Sequence, residues 1–316
     1  MRRTIVVIHP GALGDVLLAV PAMIRLRVQY PQHQLVLCAK SPVAQVLFAC
    51  GVIDAWMSVE GSACADMFNP DASIKGELKD WLSCCDCAIA WLQDEKGNLS
   101  AALRKAGAGR TIVASPFSVG LKATHQSDRF CEIAQVSPVP GVSFKPLRLP
   151  GEMHALGLVC LEKAGMSDDQ PFVAVHPGSG SPHKSVAVTT MATMIMKLQD
   201  EGFSSVVIQG PADEKSVYNL LHDIPFPVPV LRELGLPTLG GVLLHAGLFV
   251  GHDSGVSHLA ALLGVRTIAI FGPTNPDRWA PLGSHVTVIQ EPYSLDRIMS
   301  LIEMPAAGDS AICLND

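Results

Sequence analysis

Short apolar runs alternate with stretches of helical spacing along almost the whole chain. Thr4–Ile8 (TIVVI) is a β-branched run of strand length, and Asp15–Gln29 places apolar residues on one face of a helix. Leu35–Cys38 predicts a second strand, Val43–Cys50 a helix and Ala55–Val59 a third strand. Cys87–Trp91 and Thr111–Ala114 read as further buried strands, with a Lys/Asn/Arg-rich helix between them. The pattern then breaks. Residues 137–151 (SPVPGVSFKPLRLPG) hold four prolines and two glycines, the composition of a linker.

Beyond it the alternation restarts. Phe172–His176, Val206–Gln209, Leu248–Gly251 and Thr267–Phe271 are predicted strands. Helices are expected near His154–Ala164, Thr189–Glu201, Glu214–Leu221, Thr238–His245, Ser254–Leu263 and Tyr293–Glu303, with Gly264 as a helix stop. Continuous apolar strands separated by helices imply parallel sheets covered on both faces. The segments TIVVIHPGALG (4–14) and FVAVHPGSGSP (172–182) both run strand, His-Pro-Gly, small-residue loop. The expectation is therefore an α/β chain of two similar domains, 1–150 and 151–316. In open α/β sheets ligands sit beyond the carboxyl ends of strands. That is where both His-Pro-Gly loops fall, so they can converge on one cleft.

The length of 316 residues suits two cores rather than one. With 48% hydrophobic and 16% charged residues the chain is globular, and its net charge of −6 argues against general nucleic-acid binding. Residues 1–150 carry net +3 and residues 151–316 net −9. Nine cysteines without regular spacing fit reduced thiols, and the single C-x-x-C at Cys84–Cys87 has no second pair to complete a zinc site. The apolar N-terminus has the look of a signal peptide, but His9, Pro10, Gly11 and Asp15 interrupt it, so strand, loop and helix is the expected structure. No apolar run reaches eighteen residues, and no membrane-spanning helix is expected.

Four turns carry the candidate chemistry. HPGALGD (9–15) ends in Asp15, which is either a first-turn acid favoured by the helix dipole or a carboxylate that takes a proton from a hydroxyl. Gly11 and Gly14 let backbone approach a ligand, in a pattern that is neither a P-loop nor GxGxxG. HPGSGSPHKS (176–185) offers Gly178, Gly180 and the ammonium of Lys184 to a phosphate. IQGPADE (208–214) puts Asp213 or Glu214 at a helix start, within the chemistry of ribose hydroxyls. DSGVSH (253–258) follows a buried strand. Asp253 and Ser254 are N-cap residue types, and Gly255 and His258 lie in the first turn. Unpaired amides at such a turn attract an anion, so a phosphate-bearing ligand is expected there.

The block HPGALGDVLLAVPA, the HPGSG…K loop, IQGPADE and VGHDSGVSHLAALLGVRTIAIFGPTNP (250–276) together resemble the family 9 glycosyltransferases, the ADP-heptose:lipopolysaccharide heptosyltransferases and their relatives. The resemblance runs through the chain in order. It implies a GT-B fold, two Rossmann-like domains facing an interdomain cleft, with acceptor on the first and nucleotide-sugar donor on the second. It implies inverting, metal-independent transfer with no cofactor, of heptose from ADP-heptose to a lipopolysaccharide core or other lipid-linked glycan. The setting would be cytoplasmic, in peripheral contact with the inner membrane. By the same resemblance Asp15 is the catalytic base, Lys184 meets the donor phosphates, Glu214 the ribose, and Asp253, Ser254, Gly255 and His258 the diphosphate and sugar. Two departures stand out: Ser185, Val186, Ala187 and Val188 replace the usual Trp-Pro after the loop lysine, and Ala12-Leu13 replaces a basic residue before Gly-Asp. A nucleotide-sugar 2-epimerase on the same fold and a non-catalytic nucleotide or glycan binder are the alternatives.

Overall fold

The computed structural model describes residues 2–69, 73–117, 125–137, 145–167, 170–179 and 188–302. The chain divides into two compact units, Met1–Phe144 and Lys145–Asp316, so the break falls inside the predicted linker.

The first unit contains strands β1 (Thr4–Ile8), β2 (Gln34–Ala39), β3 (Ala55–Ser58), β4 (Cys85–Ala90) and β5 (Arg110–Val113). They form one parallel sheet in the order β3-β2-β1-β4-β5. Its helices are α1 (Leu13–Leu18), α2 (Val20–Gln29), α3 (Ser41–Ala49), α4 (Ser62–Ala65), α5 (Gly76–Ser83), α6 (Asn98–Lys105) and α7 (Gln126–Ala134). All five residues of β1 are buried, as the central strand of a doubly covered sheet requires. The single helix expected over 15–29 is two. Pro21 lies in the first turn of α2 and its ring cannot share the preceding turn, so the helix restarts at Ala19. Cys85 and Cys87 are strand residues of β4, and all eight described cysteines are free thiols.

The second unit contains α8 (Gly151–Lys163), β6 (Phe172–His176), α9 (Val188–Asp200), β7 (Ser204–Gln209), α10 (Glu214–His222), β8 (Val230–Arg232), α11 (Leu236–Leu244), β9 (Leu248–His252), α12 (Gly255–Leu262), β10 (Thr267–Phe271), α13 (Pro276–Trp279), β11 (Val286–Gln290) and α14 (Leu295–Met299). Its parallel sheet has the order β11-β10-β9-β6-β7-β8. In both sheets the chain first winds to one side of its opening strand and then crosses to the other. The reversal lies between β1 and β4 in the first unit and between β6 and β9 in the second, the places where doubly wound sheets bind ligands. Gly264, at φ +85°, ends α12 in the left-handed conformation a glycine stop supplies. α14 belongs to the second unit's core, with Ile298 buried among α9 side chains. Among the described residues no helix is long and apolar enough to cross a membrane.

Candidate functional site

Three turns meet at the reversal point of the second sheet. β6 ends in His176 and runs on through Pro177, Gly178 and Ser179. β7 is followed by Gly210 and Asp213, and β9 by Asp253 and Ser254. His176, Asp213, His252, Asp253, Ser254 and His258 are all buried. Six polar side chains withdrawn from water in one place need partners, and hydrogen bonds supply them to Asp213, His176 and Ser254.

Asp213 is the hub. Its Oδ2 accepts from the Gly210 amide at 2.9 Å and pairs with His176 Nε2 at 2.9 Å. Burial alone would raise its pKa, but the hydrogen bond and charge of His176, with the Gly210 amide, outweigh it and hold the carboxylate below its ordinary range. The Gly178 backbone lies directly on this carboxylate: a Cβ there would stand 1.8 Å from Asp213 Oδ1, so only glycine fits. On its other side the His176 ring meets Ser254 Oγ through Nδ1 at 3.3 Å. Ser254 caps α12 by accepting from the Ser257 amide at 3.4 Å, and the Ser257 hydroxyl donates to the His252 carbonyl. His258, in the first turn of α12, has Nε2 4.0 Å from Asp253 Oδ1. His252 is pushed down to about 4 by burial and by the neighbouring His176, and is a neutral ring at physiological pH.

In the second unit the residues expected from sequence fall in three groups. Gly178, Asp213, Asp253, Ser254, Gly255 and His258 come together here. Glu214 starts α10 one residue past Asp213, with an exposed side chain; the acid turned into the network is Asp213. Gly180 and Lys184, with Ser185 to Ala187, lie outside the described residues. Sequence reading gave no role to His176 or His252. Both end a fully buried strand with an imidazole, and that was the available signal.

The reversal point of the first sheet is a smaller version. His9 follows β1, accepts from the Gly11 amide through Nδ1 at 3.1 Å, packs edge-on against Trp91 with ring centroids 5.4 Å apart and lies tilted against Phe130 at 5.1 Å. Burial lowers its pKa to about 4, so the ring is a neutral acceptor that shapes the loop. A Cβ on Gly11 would stand 2.6 Å from His9 Cε1 and 3.1 Å from Asp15 Cβ. Gly11 therefore lets the loop close over His9 and sets where Asp15 emerges. Asp15 and Gly14, both half-buried, occupy the first turn of α1. Among the described residues no cluster of three or more His, Cys, Asp or Glu side chains has the form of a metal site.

Residues 153–297 match the model of glycosyltransferase family 9 (heptosyltransferase). A Haemophilus influenzae protein provisionally named a glycosyltransferase is 25% identical over 88% of this chain and 86% of its own length. The lipopolysaccharide heptosyltransferase 3 of Escherichia coli is 28% identical over 40% of this chain and 38% of its own. The structure of E. coli ADP-heptose lps heptosyltransferase II superposes with a TM-score of 0.76 at 18% identity, covering 94% of this chain and 96% of that one, and so shares the fold.

Proposed function

We infer that the chain is a heptosyltransferase-like member of glycosyltransferase family 9, whose model matches residues 153–297, with the GT-B fold of its structural neighbours. From that premise we propose that it moves a heptose, with inversion, from ADP-heptose to a lipopolysaccharide core acceptor. The second unit binds the donor and the first unit the acceptor. The observation that carries this reading is the α12 N-terminus at the reversal point of the second sheet, ringed by Ser254, Gly255, His258 and the Gly178 loop. Free amides and the helix dipole there complement a diphosphate without a metal ion. The names of the E. coli relatives support the choice of ADP-heptose and lipopolysaccharide.

In this reading the acceptor hydroxyl oxygen bonds to the anomeric carbon on the face opposite the leaving group. The bond from that carbon to the diphosphate oxygen breaks, and the hydroxyl proton passes to the Asp15 carboxylate. The α12 amides and Lys184 take the charge that develops on the departing ADP, the usual place for electrostatic stabilisation to act. Glu214 reaches the ribose. An anionic core acceptor suits the net +3 of residues 1–150. The enzyme works on the cytoplasmic side of the inner membrane, touching it peripherally.

The test combines binding with turnover. ADP at about a hundred times its Kd stabilises a protein by about 2.7 kcal/mol, so a thermal-shift panel of ADP, UDP, GDP and CDP reads out the base. ADP-heptose consumed only when a heptose-accepting core oligosaccharide is present supports the transferase. Consumption without acceptor points to the epimerase, and binding without consumption to the non-catalytic relative. Stabilisation by UDP or GDP alone would refute ADP-heptose as donor.

A further inference from the structure

The first unit carries a cavity at the reversal point of its sheet. It has a volume of about 420 Å³, within the range of small-molecule sites, and Phe68, Leu92, Gln93, Glu95, Lys96 and Asn98 are among its lining residues. Two segments build it. Residues 91–97 run from β4 to α6, so they lie beyond the carboxyl end of the strand beside β1. Trp91 is in edge contact with His9, which puts this segment at the same edge of the sheet as the Asp15 turn. The other segment follows β3. There Met67 is buried in the core with Leu99 and Leu103 of α6, while the neighbouring Phe68 stays 45% exposed.

The lining sorts by what each group can offer. Phe68 and Leu92 give apolar surface, Gln93 and Asn98 carry amides that both donate and accept, and Lys96 donates. Asp94 is committed to the protein. Its carboxylate accepts from the Leu99 amide at 3.2 Å, the Ser100 amide at 3.0 Å and the Ser100 hydroxyl at 2.8 Å. Burial would raise its pKa, but these bonds outweigh it and hold the carboxylate below its ordinary range. Asp94 thereby fills the α6 N-terminus, a place where an anion would otherwise bind. Glu95 follows it and accepts from Gln93 Nε2 at 2.8 Å. Two carboxylates against one ammonium leave the lining net negative.

We propose that this cavity holds the terminal sugar of the acceptor and selects an uncharged ring over a sugar acid or a phosphorylated sugar. The proposal rests on the reading above that the first unit binds the acceptor. A neutral pyranose has the two kinds of surface that the cavity offers. Its C–H faces suit the Phe68 ring, and its hydroxyls can donate to Glu95 and accept from Lys96 or the side-chain amides. A carboxylate or phosphate on that sugar would meet the like charge of Asp94 and Glu95, which is how a site rejects a close analogue. The first amides of α6 cannot offset this, because Asp94 already holds them. Phosphates farther along a core acceptor still meet the net +3 of residues 1–150.

The test uses the full-length protein and two core oligosaccharides of equal length, one ending in an uncharged heptose and the other in a sugar acid. Saturation-transfer NMR titrations read binding without requiring turnover. The expected result is binding of the neutral-ended oligosaccharide that is tighter by about tenfold or more. Phe68→Ala, at an exposed position, should fold normally, weaken that binding about tenfold and leave the ADP thermal shift unchanged. Glu95→Gln should narrow the gap between the two oligosaccharides by improving binding of the acid-ended one. Equal or tighter binding of the acid-ended oligosaccharide to the native protein would overturn the inference. So would unchanged binding of the neutral-ended one by Phe68→Ala, or an unchanged gap in Glu95→Gln. If ADP binds and neither oligosaccharide does, the inference falls and the donor reading stands. No binding of either oligosaccharide or of ADP, UDP, GDP or CDP would overturn both.

Discussion

His9 offers a quantitative check on the first unit, because its cost in acid follows from its surroundings. The unfolded chain protonates a histidine near pH 6.5, whereas the folded chain protonates His9 only near pH 4, since burial against Trp91 and Phe130 disfavours the charged ring. Between those values the unfolded state carries more protons, so stability falls as pH falls. Integrating the two titrations from pH 7.5 to pH 5 gives a loss of about 2 kcal/mol from this residue. His252, lowered to the same value, adds a similar loss in the second unit. The assay is urea unfolding at pH 7.5, 6 and 5, followed by tryptophan emission. Trp56, Trp81 and Trp91 lie in the first unit and only Trp279 in the second, so the signal reports mainly on His9's own unit. His9→Gln keeps an acceptor for the Gly11 amide but cannot titrate. It is expected to be less stable at pH 7.5, through lost ring packing, and to lose about 2 kcal/mol less than the native protein on going to pH 5. Parallel decline of the two proteins would refute the claim that His9 is buried neutral.

Three further outcomes follow from the packing and the proposed chemistry. α8 and α11 touch at glycines, where a Cβ on Gly157 would stand 2.3 Å from the Gly241 carbonyl carbon; Gly157→Ala must push two backbones apart and is expected to cost at least about 1–3 kcal/mol, read as a lowered urea midpoint, and an unchanged midpoint would refute the close crossing. Gly178→Ala displaces the Asp213 carboxylate and should abolish the ADP-induced thermal shift while the first unit, read by tryptophan emission, unfolds as before; a normal shift would refute the loop's place at the site. Asp15→Asn should leave the ADP shift unchanged and lower turnover by about a hundred- to ten-thousandfold, the contribution of general-base catalysis; full turnover in the folded variant would remove Asp15 from that role.

What the sequence made legible was what single elements carry in themselves. The buried strands at Phe172–His176 and Thr267–Phe271 were read to the residue, because a continuous apolar run between turn signals has few other solutions. β8 and β11 were missed. β8 has three residues, and β11 buries Ile289 while its other residues stay partly or fully accessible, so edge position removed the apolar signal. α5 and α7, of eight and nine residues, were missed although each buries one face, and Pro21 split a helix that spacing alone read as continuous.

The candidate site shows the limit of local reading more sharply. An Asp before a helix reads as a cap, and nothing near residue 213 announces that its carboxylate meets an imidazole 37 positions earlier. Which of two adjacent acids turns inward depends on the angle at which α10 leaves β7, and that angle is set by packing. The Gly178 contact fixes the choice, since the space a side chain would fill at 178 is occupied by the Asp213 carboxylate. Gly178 therefore constrains Asp213, Asp213 holds the His176 ring through Nε2, and the other side of that ring meets the Ser254 hydroxyl. Four residues from three separate turns form one network. That dependence is a property of the sheet order, and it becomes visible only once β6, β7 and β9 are side by side.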